Sequence, residues 1–188
     1  MAAPLDFHTA DMVRALNDAE PLHWPRYETV HGELLVSPAA RMAHQIVVQR
    51  LLVRLSMYLS QEPVGEALSS PADISWGETD ILVQPDVFVV PREQLRTWEW
   101  SDVRHLLLAV EVLSPSSIRA DRFTKRRLYQ ERSVPLYWVV DIAERAVDVW
   151  TPDAREARVE REELVWKPDG AAAELRMELA EVFEGMPR

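Results

Sequence analysis

Residues 106–113 read Leu-Leu-Leu-Ala-Val-Glu-Val-Leu, and Ser114-Pro115-Ser116-Ser117 closes the run. A nearly continuous apolar stretch of this length is the pattern of a central strand covered on both faces. Periodicity predicts a helix over about residues 118–132 after it, then a second apolar strand at Leu136-Tyr137-Trp138-Val139-Val140. Strand–helix–strand order in the middle of the chain implies a mixed α/β sheet.

The flanking segments fill in the outline. Residues 9–17 predict a short helix capped by Thr9, with Met12, Val13 and Leu16 on one face; Pro21 and Pro25 end it. Residues 27–36 read as two strands joined at His31-Gly32. Residues 42–60 carry apolar side chains at helical spacing from Ile46 to Leu59. Ala72–Trp76 is a candidate strand, and Asp86–Val90 a stronger one, opened by Pro85. Residues 91–104 are polar, a loop or short helix, and residues 145–150 and 156–160 predict an antiparallel hairpin. With 188 residues and no repeat or long linker, the chain predicts one domain over 1–188 with its core at about 27–150. Seven tryptophans offer a large aromatic payload for that core.

Glu111 is the one ionisable group in the apolar run. A carboxylate buried there must be paired, protonated or bound to a metal. Pairing with a nearby arginine at the strand's end accounts for it as well as a metal does. Asp86 is again an isolated acid opening an apolar strand, although Pro-Asp is also a common loop pair. Two acids on two central strands can converge on one ion, and Mg²⁺ takes one or two carboxylates while keeping several waters. The helix after the Glu111 strand carries Arg119, Arg122, Lys125, Arg126, Arg127 and Arg132 against Asp121 and Glu131. A solvated face with i,i+4 pairs such as Asp121 with Lys125 explains most of these charges. His44, near the start of the long helix, reads as a polar residue satisfied by a neighbour or as part of a site.

Composition removes several classes. No cysteine is present, so disulfides, thiolate chemistry and cysteine-based zinc sites are excluded. The start, Met-Ala-Ala-Pro-Leu-Asp-Phe-His, lacks a basic segment followed by an apolar run, and no stretch approaches the roughly 20 apolar residues of a membrane span. The expectation is a cytoplasmic protein. A net charge of −10 argues against a non-specific polyanion binder but leaves room for a local basic surface.

Several strings together resemble a bacterial family known as the "putative restriction endonuclease" family, of PD-(D/E)XK nuclease-like fold. They are Gln84-Pro85-Asp86-Val87, Glu111-Val112-Leu113-Ser114-Pro115-Ser116, Asp121, Lys125, Tyr129 and Val134-Pro135-Leu136-Tyr137-Trp138-Val139-Val140-Asp141. Upstream, Gly32-Glu33-Leu34-Leu35-Val36-Ser37-Pro38 and His44 fit its opening motif. The resemblance covers roughly residues 9–150. It implies a restriction-endonuclease-like core: a central mixed β-sheet flanked by helices, with additional antiparallel strands at the N- and C-terminal ends. It implies that Asp86 is the Asp of PD, that Glu111 is the acid of (D/E)XK, and that Glu33 joins them from upstream. The superfamily's lysine would fall at position 113, where this chain has Leu113; the family supplies it from the following helix, which points to Lys125. Ser133 stands where the family usually has glycine before Val-Pro, a change in turn geometry. Tyr129, Tyr137 and Trp138 read as core.

The expected function is therefore Mg²⁺-dependent (or Mn²⁺-dependent) hydrolysis of phosphodiester bonds, with DNA as substrate by analogy and action as a homodimer possible. Asp86 and Glu111 would hold the ion near the Val112 carbonyl, with Lys125 orienting water or balancing charge. Two alternatives stand beside it: a nuclease-fold module that binds or regulates without cutting, and a metal-dependent hydrolase of another phosphate ester.

Overall fold

The computed structural model describes residues 7–20, 22 and 24–187. Most of the N-terminal stretch read above, and Pro21, lie outside the described residues. The predicted apolar run forms β5 (Leu108–Val112), every residue of it buried. It lies inside a six-stranded sheet between β4 (Val87–Pro91) and β6 (Tyr137–Asp141). The sheet continues through β3 (Gly65–Ser69) at one edge, and through β7 (Ala146–Trp150) and β8 (Arg158–Glu160) at the other. Only β5 and β6 run parallel; the other neighbours are antiparallel, so the sheet is mixed.

Alternation along the strands divides the core. Val87, Val89, Leu108, Val110, Trp138 and Val140 pack with α2 (Met42–Gln61), β9 (Glu163–Trp166), β10 (Leu175–Glu178) and α4 (Leu179–Val182). Phe88, Val90, Ala109, Tyr137 and Val139 pack on the opposite face with Leu128 and Tyr129 of α3 (Arg126–Glu131). Period-two alternation puts Glu111 on the Ala109 face, toward α3. The β4–β5 register pairs Val87 with Val110. One step further along this antiparallel ladder sets Asp86 opposite Glu111.

Several expectations change in detail. The first helix, α1, spans Ala10–Ala19; Thr9 Oγ1 accepts from Met12 N as predicted, but Ala10 and Val13 form its buried face and Met12 is exposed. Ala72–Trp76 forms no strand, only a single bridge from Ile74 to Val83. The helix after β5 begins with a π-helical stretch, Ala120–Lys125, before α3. Trp98 is 88% exposed, so the tryptophans do not all serve the core. The β9–β10 pair and α4 complete the antiparallel additions at the C-terminal end.

β1 (Arg26–Val30) and β2 (Glu33–Ser37) form the predicted hairpin. His31 at φ 50 and Gly32 at φ 81 make its two-residue turn, with both central residues in the left-handed region. A Cβ at Gly32 would also lie 2.3 Å from the Phe7 ring. Gly32→Ala is therefore expected to cost about 1 kcal/mol from backbone strain alone. Chemical unfolding would measure it; an unchanged midpoint would contradict the turn assignment.

Candidate active site

β5, β1, the π-helical stretch and the residue just before β4 each deliver one acid to a common point. Glu28 is 0% exposed, Asp86 5%, Glu111 1% and Asp121 2%. Lys125 lies among them at 2%. Its Nζ donates to Glu111 Oε1 at 3.0 Å and forms an ion pair with Asp121 at 3.6 Å. A third ion pair, to Glu28 Oε2, measures 2.8 Å but lies outside hydrogen-bond geometry. The π-helical stretch carries Asp121 and Lys125, four residues apart in sequence, and buries both. Such local widening of a helix is frequent at functional sites.

The remaining donors fix the acids individually. Tyr129 Oη donates to Glu111 Oε1 at 3.0 Å. The Val112 N–H donates to Asp86 Oδ2 at 2.8 Å, and His44 Nε2 lies 3.0 Å from the same oxygen. Arg26, at the start of β1, forms an ion pair with Asp86 Oδ1 at 3.6 Å. Gln84 N donates to Glu28 Oε1 at 2.7 Å.

These contacts set opposite electrostatics on the two strand acids. Burial pushes Asp86 upward, but the hydrogen bond and charge of His44, the Arg26 charge and the Val112 N–H together hold it below the ordinary aspartate value. Burial drives Glu111 well above the ordinary range; Lys125 opposes this, and Asp121, Asp86 and Glu28 add to it. Asp121 is pushed up to about 6, chiefly by burial and against the pull of Lys125 and Ser117. Lys125 is held protonated by Glu111, Glu28 and Asp121 in spite of its burial.

Counted as ionised, the four carboxylates carry two more charges than Lys125 and Arg26 together. A divalent cation matches that excess. Among the described residues no group of three or more His, Asp or Glu forms a metal-holding cluster. Two carboxylates suffice for Mg²⁺, which keeps most of its waters. Asp86 Oδ1 and Glu111 Oε2 accept no hydrogen bond from the described residues, and both side chains line one cleft. The cleft has a volume of about 550 Å³, and Arg26, His44, Ser114 and Ser116 also border it. The donor set is thus all oxygen, free on one side and suited to a hard cation.

The chain matches the profile of a family described as "putative restriction endonuclease", Uma2, over residues 16–182. It belongs to this family. A crystal structure titled as that of a putative nuclease from Anabaena variabilis shares the fold, with a TM-score of 0.73, 94% of this chain and 97% of that chain covered, and 21% identity. No curated protein matches the chain.

Within this Uma2 chain, the structure brings Asp86, Glu111 and Lys125 together. Glu33 is exposed at the start of β2 and makes no hydrogen bond or ion pair with the three, but it lines a smaller pocket together with Glu28, Asp121 and Lys125. Its register partner is Val30, which leaves Glu28, two residues earlier on β1, as the glutamate in contact with Lys125. Asp121 also departs from expectation: it pairs with Lys125 inside the protein, not on a solvated face. Leu113 packs against the α3-side core, so position 113 has no polar role. Ser133 adopts φ 53, the left-handed turn that a glycine would take more easily. Arg26 and Glu28 were missed. Glu28 could have been found as an acid between Tyr27 and Thr29-Val30 on a half-buried strand; Arg26 had no such signal.

Asp121 gives a pH test. Its folded value near 6 lies above that of an unfolded aspartate, so the folded state binds the proton more tightly. Its contribution favours folding at low pH and is lost as pH rises through about 6. The metal-free protein should gain stability relative to Asp121→Asn as pH falls from roughly 7.5 to 5. Parallel unfolding curves for the two proteins across that range would refute the assignment.

Proposed function

We propose that this chain is a metal-dependent endonuclease that hydrolyses phosphodiester bonds, with DNA as its first substrate class. One observation carries the reading: Asp86, just before β4, and Glu111 on β5 line one cleft, with Lys125 bonded to Glu111. Asp86, Glu111 and the backbone carbonyl near Val112 would hold Mg²⁺ or Mn²⁺. A divalent ion bound there would supply Lewis-acid stabilisation of phosphate charge and a lowered pKa for water.

The chain's own groups do the rest. Val112 N–H and His44 hold Asp86 Oδ2, which leaves Oδ1 without a hydrogen bond, 3.6 Å from Arg26 Nη2. Tyr129 and Lys125 hold Glu111 Oε1 in the same way and leave Oε2. The Lys125 charge offsets negative charge that develops as the phosphate is attacked. Burial keeps Glu111 above its ordinary value, so an ion bound there would displace a proton and relieve the desolvation cost of the ionised form.

No helix among the described residues is long and apolar enough to cross a membrane. The proposal includes a cytoplasmic location, and pairing of two copies to cut both strands of a duplex. A second reading, a module of this fold that binds or regulates without cutting, draws on the net charge of −10. Cleavage of single- and double-stranded DNA and RNA, with and without Mg²⁺ or Mn²⁺, separates the two. The nuclease reading requires metal-dependent products from the wild type and none from Asp86→Ala. Metal binding without products from any substrate supports the non-cutting module. Release of phosphate from simple esters alone indicates a different phosphate-ester hydrolase.

A further inference from the structure

Arg26 is the least explained charge in the protein. It opens β1, its side chain is 13% exposed, and it borders the same cleft as Asp86 and Glu111. A guanidinium has five N–H donors and no acceptor. Here one of them is used in a hydrogen bond: Nη1 donates to Ser70 Oγ at 3.1 Å. Nε is buried and has no partner. Nη2 reaches only the 3.6 Å ion pair with Asp86 Oδ1. Burial of the unpaired Nε–H is costly unless something else accepts from it.

Neutralising Asp86 does not account for the arrangement. Asp86 Oδ2 is already held by Val112 N–H and His44. An arginine placed to balance a carboxylate grips it with two parallel hydrogen bonds, whereas this one stops short of forming any. The Ser70 hydrogen bond fixes Nη1, and that oxygen is itself anchored, donating toward the Gln84 and Pro85 carbonyls at 2.9 and 2.6 Å. The fork is thus held beside the acid pair, with its remaining donors uncommitted. Trp24 also borders the cleft, its ring centroid 6.0 Å from the guanidinium carbon.

We propose that Arg26 is a substrate-binding residue that holds the non-bridging oxygens of the phosphodiester at the Asp86–Glu111 cleft. The assignment rests on the phosphodiester reading of that cleft and names the group that receives the substrate's charge. The planar fork suits two phosphate oxygens, which the point charge of a lysine does not. In a protein of net charge −10, a fixed cation at the site also provides local attraction that the surface as a whole does not.

The test compares wild type with Arg26→Lys, using a short single-stranded oligodeoxynucleotide in Ca²⁺, with chromatography to confirm that no product forms. Calorimetry reads Ca²⁺ affinity and oligonucleotide affinity separately. Arg26→Lys is expected to bind the oligonucleotide about 10- to 100-fold more weakly, the loss of one charge-assisted hydrogen bond. Its Ca²⁺ affinity should stay within a few-fold of the wild type. Unchanged oligonucleotide affinity, or an equal loss of both affinities, overturns the proposal.

A second measurement does not depend on the variant's folding. In the wild type, the Arg26 Nε–H resonance should move when the oligonucleotide is added. Binding that leaves the resonance in place overturns the proposal, as does absence of binding. The two readings fail separately. If the wild type binds through Arg26 yet cuts nothing in Mg²⁺, the nuclease reading falls and the Arg26 assignment stands. If it cuts, and Arg26→Lys binds as tightly as wild type, the reverse holds.

Discussion

Lys125→Met is expected to lower the stability of the fold by about 3–5 kcal/mol near pH 7.5, the usual cost of removing one partner from a buried ion pair. Lys125 Nζ is the cation in contact with Glu28, Glu111 and Asp121. Each of the three is at most 2% exposed. Methionine preserves much of the volume, so the loss is electrostatic and leaves little cavity. The remaining carboxylates can reduce the cost by taking up protons. Their folded values, already raised for Glu111 and Asp121, would rise further without the lysine. Groups raised in the folded state contribute stability that is present at low pH and lost as pH rises. The deficit of Lys125→Met should therefore shrink toward pH 5 and grow above pH 7. Adding Glu28→Gln removes one uncompensated charge and should recover part of it. Urea unfolding at two pH values checks both statements. A loss below about 1 kcal/mol, or one that ignores pH, would mean that the lysine does not hold the cluster together.

The parts legible in the sequence were those governed by local pattern. The apolar run over 106–113 gave β5, and the apolar strings at Asp86–Val90 and Leu136–Val140 gave its neighbours, because an interior strand needs apolar side chains on both faces. Glu111 was conspicuous for the same reason: one charge in a covered strand stands out. Asp86 opposite Glu111 was not legible, since register is set by long-range pairing. The burial of Glu28 shows the limit most directly. Glu28 opposite Leu35 and Glu33 opposite Val30 share one face of the hairpin, yet Glu28 is buried against Lys125 while Glu33, beside the turn, is exposed. Likewise Asp121 and Lys125 have the spacing of an ordinary surface pair, and only the packing of their π-helical turn against the sheet buries them. Tyr129 read as core and is core, yet its hydroxyl serves Glu111. A fully buried tyrosine needs a partner for that group, so an isolated acid on the facing strand was the available signal.

On the proposed function, Asp86→Asn and Glu111→Gln are expected to remove metal-dependent cleavage alike, each by about 10²–10³-fold or more, since each would take a charged ligand from the proposed metal site. Their effects on stability should have opposite signs. The Asp86 carboxylate is favoured where it stands: Val112 N–H, His44 and Arg26 all act on its ionised form and hold it low. A group depressed in the folded state contributes stability at neutral pH that is lost as pH falls through its folded value. Asparagine forfeits that contribution and leaves Arg26 facing a neutral amide, a loss of about 1–3 kcal/mol. Glu111 is the reverse case. Burial and three neighbouring carboxylates disfavour its charge. Glutamine keeps an oxygen for Tyr129 and Lys125, removes one of the two excess negative charges, and leaves Lys125 with Glu28 and Asp121. In the absence of metal, Glu111→Gln should be neutral or stabilising by about 1 kcal/mol at pH 7.5. Mg²⁺ should then raise the melting temperature of the wild type and of neither variant, because only a protein that binds the ion gains from it. Two inactive variants with opposite shifts in metal-free stability would identify Glu111 as the acid whose burial is tolerated for the sake of the ion. Shifts of the same sign, or a Glu111→Gln variant that still responds to Mg²⁺, would remove Glu111 from the metal site and leave it as the partner of Lys125.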